Sequence, residues 1–252
     1  MDKTTTSMYN AGVHYYHGTG GYPLDYDKAF QHISAAAKAG HDEAMHYLGV
    51  LYQNGEGTEQ NYQLAIDWFY KAIQTNSKNG LAAFELGRVY LFGLGTKKDY
   101  SLAFDFFDCA IKLALGNTQL YYPTACYFAG SILLRNEKYE DAFSYFVDAA
   151  EYGNFVEAWY NLGILLEKGF PKSEFKSKSD YKEREGKAFS FYKKAAELGD
   201  VNAMYDVGRI CITFFQFKES CEWLEKAAAH GHEEANKRLK GVRSYMRHRG
   251  IT

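Results

Sequence analysis

The sequence predicts an all-α protein, a right-handed α/α solenoid of six helix-turn-helix repeats followed by a C-terminal capping helix. Prolines are rare, with three in 252 residues, and proline is the residue that breaks helices most strongly. A small residue and a glycine recur at a fixed spacing, and a second pair of small residues recurs seven positions apart later in each unit. Self-similarity of this kind indicates a repeat architecture in which each unit packs on its neighbours.

The first helix of each unit is marked by a glycine that comes five residues after a small residue. The small residue is Ser7 in the first unit and alanine in the others. Small side chains let helix axes approach closely, so these positions mark a buried helix face. The six glycines are Gly12, Gly49, Gly87, Gly130, Gly163 and Gly208.

The second helix carries two small residues on one face, beginning at Ala29, Ala65, Ala103, Ala142, Ala188 and Ser220. Bulky residues lie between the two small positions, and side chains of this kind fill the grooves of a neighbouring helix. In the second to sixth units these residues are Trp68 and Phe69, Phe106 and Phe107, Tyr145 and Phe146, Phe191 and Tyr192, and Trp223 and Leu224; the first unit has His32 and Ile33.

The linker between the two helices of units one to three contains Gly-x-Gly and then Asp/Asn-Tyr, as in Gly55-x-Gly57 followed by Asn61-Tyr62. Together with the flanking alanines, this pattern closely resembles the Sel-one-like repeat family, a longer-looped relative of the tetratricopeptide repeat. The resemblance covers about 7–231, although units four and six have the shorter tetratricopeptide spacing and lack Gly-x-Gly. Because each Gly-x-Gly lies between two helices, it is a turn and not a phosphate-binding loop.

We expect a single repeat domain over 1–252. Asp42 and Asp200 are expected to be helix N-caps. A charged insertion is expected to form a loop at 170–185, and a basic, amphipathic capping helix is expected at 233–249. The capping helix is expected to cover the last repeat, and the alternative is that its basic face binds a phosphate or an acidic group. The repeats are placed at about 5–41, 42–80, 81–117, 121–154, 155–200 and 201–231.

The resemblance implies that the first helices line a concave groove. Five of the six residues three positions before the first-helix glycines are aromatic, so these rings either bind a partner in the groove or wedge neighbouring repeats together. Two arginines on the same helices either bind a partner's carboxylates or pair with Glu85 and Asp206. The candidate groove residues are Tyr9, His46, Phe84, Arg88, Tyr127, Tyr160, Tyr205 and Arg209.

Composition argues against other functions. A net charge of −2 gives no reason to expect nucleic acid or an anionic membrane as a partner. The four cysteines show no metal-ligand spacing, and we expect no metal, no cofactor, no catalytic residues and no enzymatic activity. The start of the sequence, Met1–Thr6, has no apolar run, and we expect a cytoplasmic protein.

The function expected from this pattern is that of an adaptor or scaffold for protein–protein interaction, which binds an unknown protein or peptide segment in the groove. Members of the family it resembles are commonly adaptors. An immunity or regulatory factor that inhibits a partner enzyme is an alternative, as are a small hydrolase and a self-assembling array. The sequence leaves the oligomeric state open.

Overall fold

Good helix formers recur along the chain, and the computed structural model describes residues 3–114, 120–172 and 181–251 as helices joined by short turns. Across these residues there are thirteen α-helices and no strand. The predicted helical-repeat fold class is confirmed. The helices are α1 (Lys3–His17), α2 (Tyr26–Lys38), α3 (Asp42–Asn54), α4 (Tyr62–Thr75), α5 (Gly80–Phe92), α6 (Tyr100–Leu113), α7 (Tyr122–Arg135), α8 (Tyr139–Gly153), α9 (Val156–Glu167), α10 (Tyr181–Glu197), α11 (Val201–Thr213), α12 (Phe217–Ala229) and α13 (Glu233–Arg249).

The helices group into two compact units, Met1–Ala129 and Gly130–Thr252, whose boundary falls inside α7. In the first unit the principal contacts join each helix from α1 to α6 to the next one along the chain. In the second unit the same holds from α8 to α13. Packing between helices that follow each other in sequence is what a repeat array requires.

The first-helix glycines provide the close contact within each helix pair. A Cβ atom at Gly87 of α5 would lie 2.7 Å from Cδ1 of Phe107 on α6, and Phe107 is fully buried. At Gly163 of α9 it would lie 2.6 Å from Cε1 of Tyr192 on α10. These distances are shorter than carbon atoms tolerate in a packed interior, so the side chain must be absent for the ring to fit.

The Gly-x-Gly linkers have one role for each glycine. Gly55 and Gly93 end α3 and α5 in the left-handed conformation, with φ of 74° and 72°, which glycine adopts without steric cost. In the second and third repeats the second glycine lies against the preceding repeat, since a Cβ at Gly95 would overlap the side chain of Tyr62 at the start of α4. The linker therefore both ends a helix and contacts the neighbouring unit.

The Asp/Asn of the Asp/Asn-Tyr motif caps the second helix. Backbone N–H groups donate to Asp25 Oδ1 at the start of α2 and to Asn61 Oδ1 at the start of α4, both at 3.0 Å, and to Asp99 Oδ1 at the start of α6 at 2.9 Å. Asp200 caps α11 in the same way, accepting from Ala203 N at 2.7 Å. Each acceptor satisfies a donor that the helix itself leaves unpaired.

Two expectations need correction, namely that Asp42 is a helix N-cap and that 170–185 forms a loop. Asp42 is the first residue of α3, and the cap is His41, whose Nδ1 accepts from Ala44 N at 3.4 Å. Residues 181–185 belong to α10 and not to a loop, while 173–180, the centre of the expected insertion, lie outside the described residues.

Within the described ranges, no helix is both long and apolar enough for a membrane crossing.

Candidate functional site

Three of the candidate rings each pack against a residue that directly precedes a later helix, namely α3, α7 or α13. Tyr9 stacks on His41 with ring centroids 4.4 Å apart, and Tyr205 stacks on His232 at 4.2 Å. Phe84, which is buried, lies 5.7 Å from the ring of Tyr121. Since each contact crosses from one helix pair to the next element, these rings hold consecutive elements together.

His46 is buried on α3, with 7% of its surface exposed. Its ring packs near Phe69, and its Nδ1 atom has no hydrogen-bond partner among the described residues. Burial lowers the pKa of His46 to about 4, because a desolvated imidazolium has lost its hydration. His46 is therefore neutral at physiological pH and offers no charge to a partner.

The remaining two rings are half-buried. Tyr127 lies beside Phe128 on α7, with centroids 5.7 Å apart. Tyr160 on α9 donates a hydrogen bond from its hydroxyl to Asp206 Oδ2 on α11, at 3.2 Å, and its ring lies 5.6 Å from that of Tyr192. A tyrosine with both a ring contact and a bonded hydroxyl has fewer groups left for a partner.

Arg88 and Arg209 occupy equivalent positions and make equivalent ion pairs. Arg88 Nη1 lies 2.8 Å from Glu85 Oε2, and Arg209 Nε lies 2.9 Å from Asp206 Oδ1. Burial raises the pKa of both Glu85 and Asp206, and hydrogen bonds from the arginines oppose that effect. Each pair keeps a partly buried carboxylate compensated.

A third side chain, four residues after the preceding first-helix glycine, completes each pair. Gln53 Nε2 donates to Glu85 Oε2 at 3.4 Å, and Glu167 Oε1 accepts from Arg209 Nη2 at 2.7 Å. Glu167 also accepts from the Tyr192 hydroxyl at 2.9 Å. Tyr160 and Arg209 therefore meet at Asp206, in a hydrogen-bonded network that links α9, α10 and α11.

One face of α5 is exposed, and it includes Glu85, the residue next to the predicted ring position Phe84. Leu81 and Phe92 are 42% and 46% exposed, and the Arg88 side chain is 35% exposed. Together with Glu85, they recur at steps of four, three and four residues, which places them on one helix face. Sequence reasoning recognised Arg88 and missed Leu81 and Phe92, although their spacing carries the signal.

One group of side chains has the composition of a metal site. The ligand atoms of His41, Asp42 and Glu43 lie within 4.8 Å of one another. Two of the three have partners outside the group, since His41 caps α3 and Asp42 Oδ2 accepts from Asn76 Nδ2 at 2.7 Å. Glu43 Oε2 lies 3.1 Å from His41 Nδ1 within the group. This geometry is accounted for by helix capping and by the contact between α3 and α4.

The cysteines are poor nucleophiles in this environment. All four are free thiols, and burial raises the pKa of Cys211 to about 11. Burial also raises the pKa of Cys109 and Cys221. Only the thiolate is a good nucleophile, so these three side chains are protonated and unreactive at neutral pH.

A protein-family model, described as the Sel1 repeat, matches residues 5–41, 42–75, 80–115, 156–200 and 216–232. The unmatched stretch 116–155 contains the fourth unit, which has the shorter tetratricopeptide spacing. A comparison with curated proteins gives no match.

Several solved structures have a similar fold at low sequence identity. A Sel1 repeat protein from Oxalobacter formigenes is 23% identical, with a TM-score of 0.60, over 88% of this chain and 84% of the other. A protective antigen of uropathogenic Escherichia coli, c5321, described as having an SLR fold, is 23% identical with a TM-score of 0.56, over 98% of this chain and 58% of the other. The tetratricopeptide protein YrrB, described as having an unusual peptide-binding site, is 20% identical with a TM-score of 0.56, over 82% of this chain and 97% of the other.

Proposed function

Because the chain belongs to the Sel1 repeat family, we propose that it is a protein–protein interaction scaffold or adaptor that binds a peptide or protein segment along its first helices. Sel1 and tetratricopeptide-like repeats generally mediate protein–protein interaction, and solenoids present extended binding surfaces. The description of YrrB as a peptide-binding tetratricopeptide protein supports this mode. The function is non-enzymatic, as it generally is for Sel1 repeat scaffolds, and cytoplasmic location stays a prediction.

The observation that carries this proposal is the exposed stripe of α5. Leu81 and Phe92 place apolar surface at its two ends, and Arg88 lies between them with its guanidinium held by Glu85. An aromatic side chain beside an oriented arginine is typical of residues that dominate binding energy, and Leu81 adds apolar area at the other end of the stripe. The segment that fits this stripe has two apolar side chains on either side of a carboxylate or a backbone carbonyl.

The half-buried rings Tyr127, Tyr160 and Tyr205 remain part of the proposed surface, but their replacement is a poor test. Tyr205 and Tyr160 make contacts between helix pairs, so a loss of binding would be confounded with a loss of folding. Leu81 on α5 allows a cleaner experiment because it is 42% exposed. Phe92 is 46% exposed, but its ring also packs against that of Phe128 on α7, with centroids 5.7 Å apart, so Phe92→Ala is interpreted only if its thermal melt is unchanged.

The whole chain is immobilised, partners are purified from native cell lysate, and the binding segment is mapped with overlapping peptides before its Kd is measured by calorimetry. We expect Leu81→Ala and Phe92→Ala each to raise Kd by about tenfold, as interface anchors do. The double variant Glu85→Gln with Arg88→Gln, which leaves no buried unpaired charge, is expected to weaken binding by a similar factor and to reduce its salt dependence.

The control is Leu64→Ala on the second helix α4, where the leucine is 37% exposed. It removes a similar apolar side chain from the other helix of a pair and is expected to leave Kd unchanged. Binding that survives all the α5 variants, with unchanged thermal melts, would show that the partner binds elsewhere.

A further inference from the structure

Apolar side chains form an exposed patch where α11 turns into α12, beside the C-terminal end of α13. We call Phe215, Phe217, Tyr245 and Ile251 the aromatic patch; Phe217 is half-buried and the other three are exposed. Phe215 is 77% exposed and Tyr245 is 44% exposed. The rings of Phe217 and Tyr245 have centroids 5.2 Å apart, and those of Phe215 and Phe217 are 6.2 Å apart. The patch therefore brings the α11–α12 turn and α13 together on one surface of the second unit.

Phe215 has a backbone conformation that its side chain disfavours. Its φ is 60°, in the left-handed region, where glycines stand in the turns after α3 and α5. A bulky residue with such a φ is an outlier that costs free energy. The exposed ring recovers little of that cost by burial, so folding does not account for a phenylalanine here. The equivalent short turn after α7 has Glu137 with a φ of 58°, so the backbone conformation belongs to this type of turn, and the feature peculiar to the α11–α12 turn is its exposed phenylalanine.

The patch includes a shallow, open depression. Phe215, Phe217 and Ile251 line it together with Gln216, Lys218 and Glu219, and its volume is about 380 Å³. A depression of this size has room for an apolar side chain of a partner.

The charge around the patch is positive. Lys218 lines the depression, and none of the ion pairs among the described residues includes it. Arg249 lies over the ring of Tyr245, with its guanidinium carbon 5.8 Å from the ring centroid. The acidic residue that lines the depression, Glu219, is paired with Lys193 at 3.0 Å. The surroundings thus favour carboxylates on a partner.

We propose that the aromatic patch is a docking surface for a protein segment in which an apolar side chain is flanked by acidic residues. The apolar side chain occupies the depression beside Phe215 and Phe217, and the acidic residues lie near Lys218 and Arg249. A protein segment is favoured because the depression lined by Phe215, Phe217 and Ile251 has the size for one side chain. Of the other α13 cations, Arg243 is paired with Glu225, and Arg238 donates to the Tyr205 hydroxyl. Lys237, Lys240 and Arg247 also lie on α13, so an anionic membrane is the competing occupant, and the vesicle measurement below distinguishes the two.

The proposal is tested by selecting a phage-displayed dodecapeptide library on the full chain and measuring the affinity of the enriched peptides by fluorescence anisotropy. The expected consensus has a phenylalanine or leucine between acidic residues. Phe215→Asn is expected to raise Kd at least about tenfold, and so is Lys218→Glu. Phe215→Asn is also expected to raise the melting temperature, since asparagine tolerates a left-handed φ. A gain in stability with a loss of binding separates a binding role from a structural one.

The matched control is Tyr152→Asn, which removes another exposed ring, 53% exposed, from α8 of the same unit. It is expected to leave Kd unchanged. A consensus without acidic residues, or binding that is insensitive to both patch variants, would overturn the proposal. Phe215-dependent sedimentation with phosphatidylserine vesicles would overturn it in favour of a membrane, and Phe215-dependent self-association in light scattering would do so in favour of a second copy.

Discussion

At the residue scale, glycine and aromatic rings are complementary parts of one contact. The second helix of a pair carries a buried ring or branched aliphatic side chain that lies where the first-helix glycine has no side chain, as Phe107 does against Gly87 and Leu224 against Gly208. The contact excludes any larger residue on the first helix. It also explains why the glycine lies inside a helix despite its poor helix propensity.

Replacing Gly87 with alanine is expected to destabilise the protein by about 2 kcal/mol, because overpacking a filled core outweighs the gain in helix propensity. The control is Gly241→Ala in α13, where a Cβ meets nothing within 4 Å; this change is expected to stabilise the protein by about 0.5–1 kcal/mol. Urea unfolding monitored by circular dichroism measures both. Equal effects of the two substitutions would mean that the Gly87 contact is not a close one.

His46 should make stability depend on pH. The pKa of histidine in an unfolded chain is about 6.5, and burial lowers that of His46 to about 4. Between these values the unfolded state binds a proton that the folded state does not, so stability falls as pH falls. The substitution His46→Phe removes the group that binds this proton, and phenylalanine already occupies the equivalent position of α5 as Phe84.

Wild-type protein is therefore expected to lose about 2 kcal/mol more than His46→Phe between pH 7 and pH 5. The comparison cancels the opposite contributions of Glu85 and Asp206, whose raised pKa values favour folding in acid. Urea titrations of both proteins at the two pH values measure it. Parallel pH profiles would show that His46 is accessible to protons in the folded state.

At the scale of the element, the long linker gives the second and third repeats a defined helix end, a defined helix start and a contact with the previous repeat. Gly93 ends α5, Asp99 begins α6, and Gly95 lies against Tyr62 at the start of α4. The shorter turn after α11 lacks these features and contains Phe215 instead.

The cap of α6 gives a direct test. Asp99→Ala removes the acceptor of the Leu102 N–H and is expected to cost about 1 kcal/mol, which lowers Tm by about 2–4 °C for a chain of this size. Asp99→Asn keeps an acceptor, as Asn61 does in the preceding repeat, and is expected to be close to wild type. Calorimetry of the three proteins measures the shifts. A similar loss in Asp99→Asn would indicate that charge, and not capping, is the important term.

At the scale of the whole molecule, the fold class was predictable because it depends on periodic small residues, which the sequence displays directly. The functional surface was less predictable. The sequence of a helix shows which residues share a face, but not whether that face contacts a neighbouring helix or solvent. The spacing of the rings allows either groove binding or contact between neighbouring repeats, and it takes the structure to show that Tyr9 and Tyr205 stack on the residues that precede later helices. The stripe of Leu81 and Phe92 could have been found from spacing alone, whereas the φ of Phe215 could not.

The cap of α3 shows the same limit on a smaller scale. Aspartate is the better N-cap in general, so the sequence favours Asp42 as the cap. The structure uses His41, whose ring is also held by Tyr9. A contact from another repeat decided the local choice, and such contacts are invisible in a window of a few residues.

Packing between consecutive helices also shapes how the chain acquires its structure. When partners are close in sequence, bringing them together closes only short loops, and the entropy lost is small. Chains dominated by such local contacts fold quickly. Each helix pair of this protein can therefore associate soon after its second member leaves the ribosome, without waiting for the rest of the polypeptide.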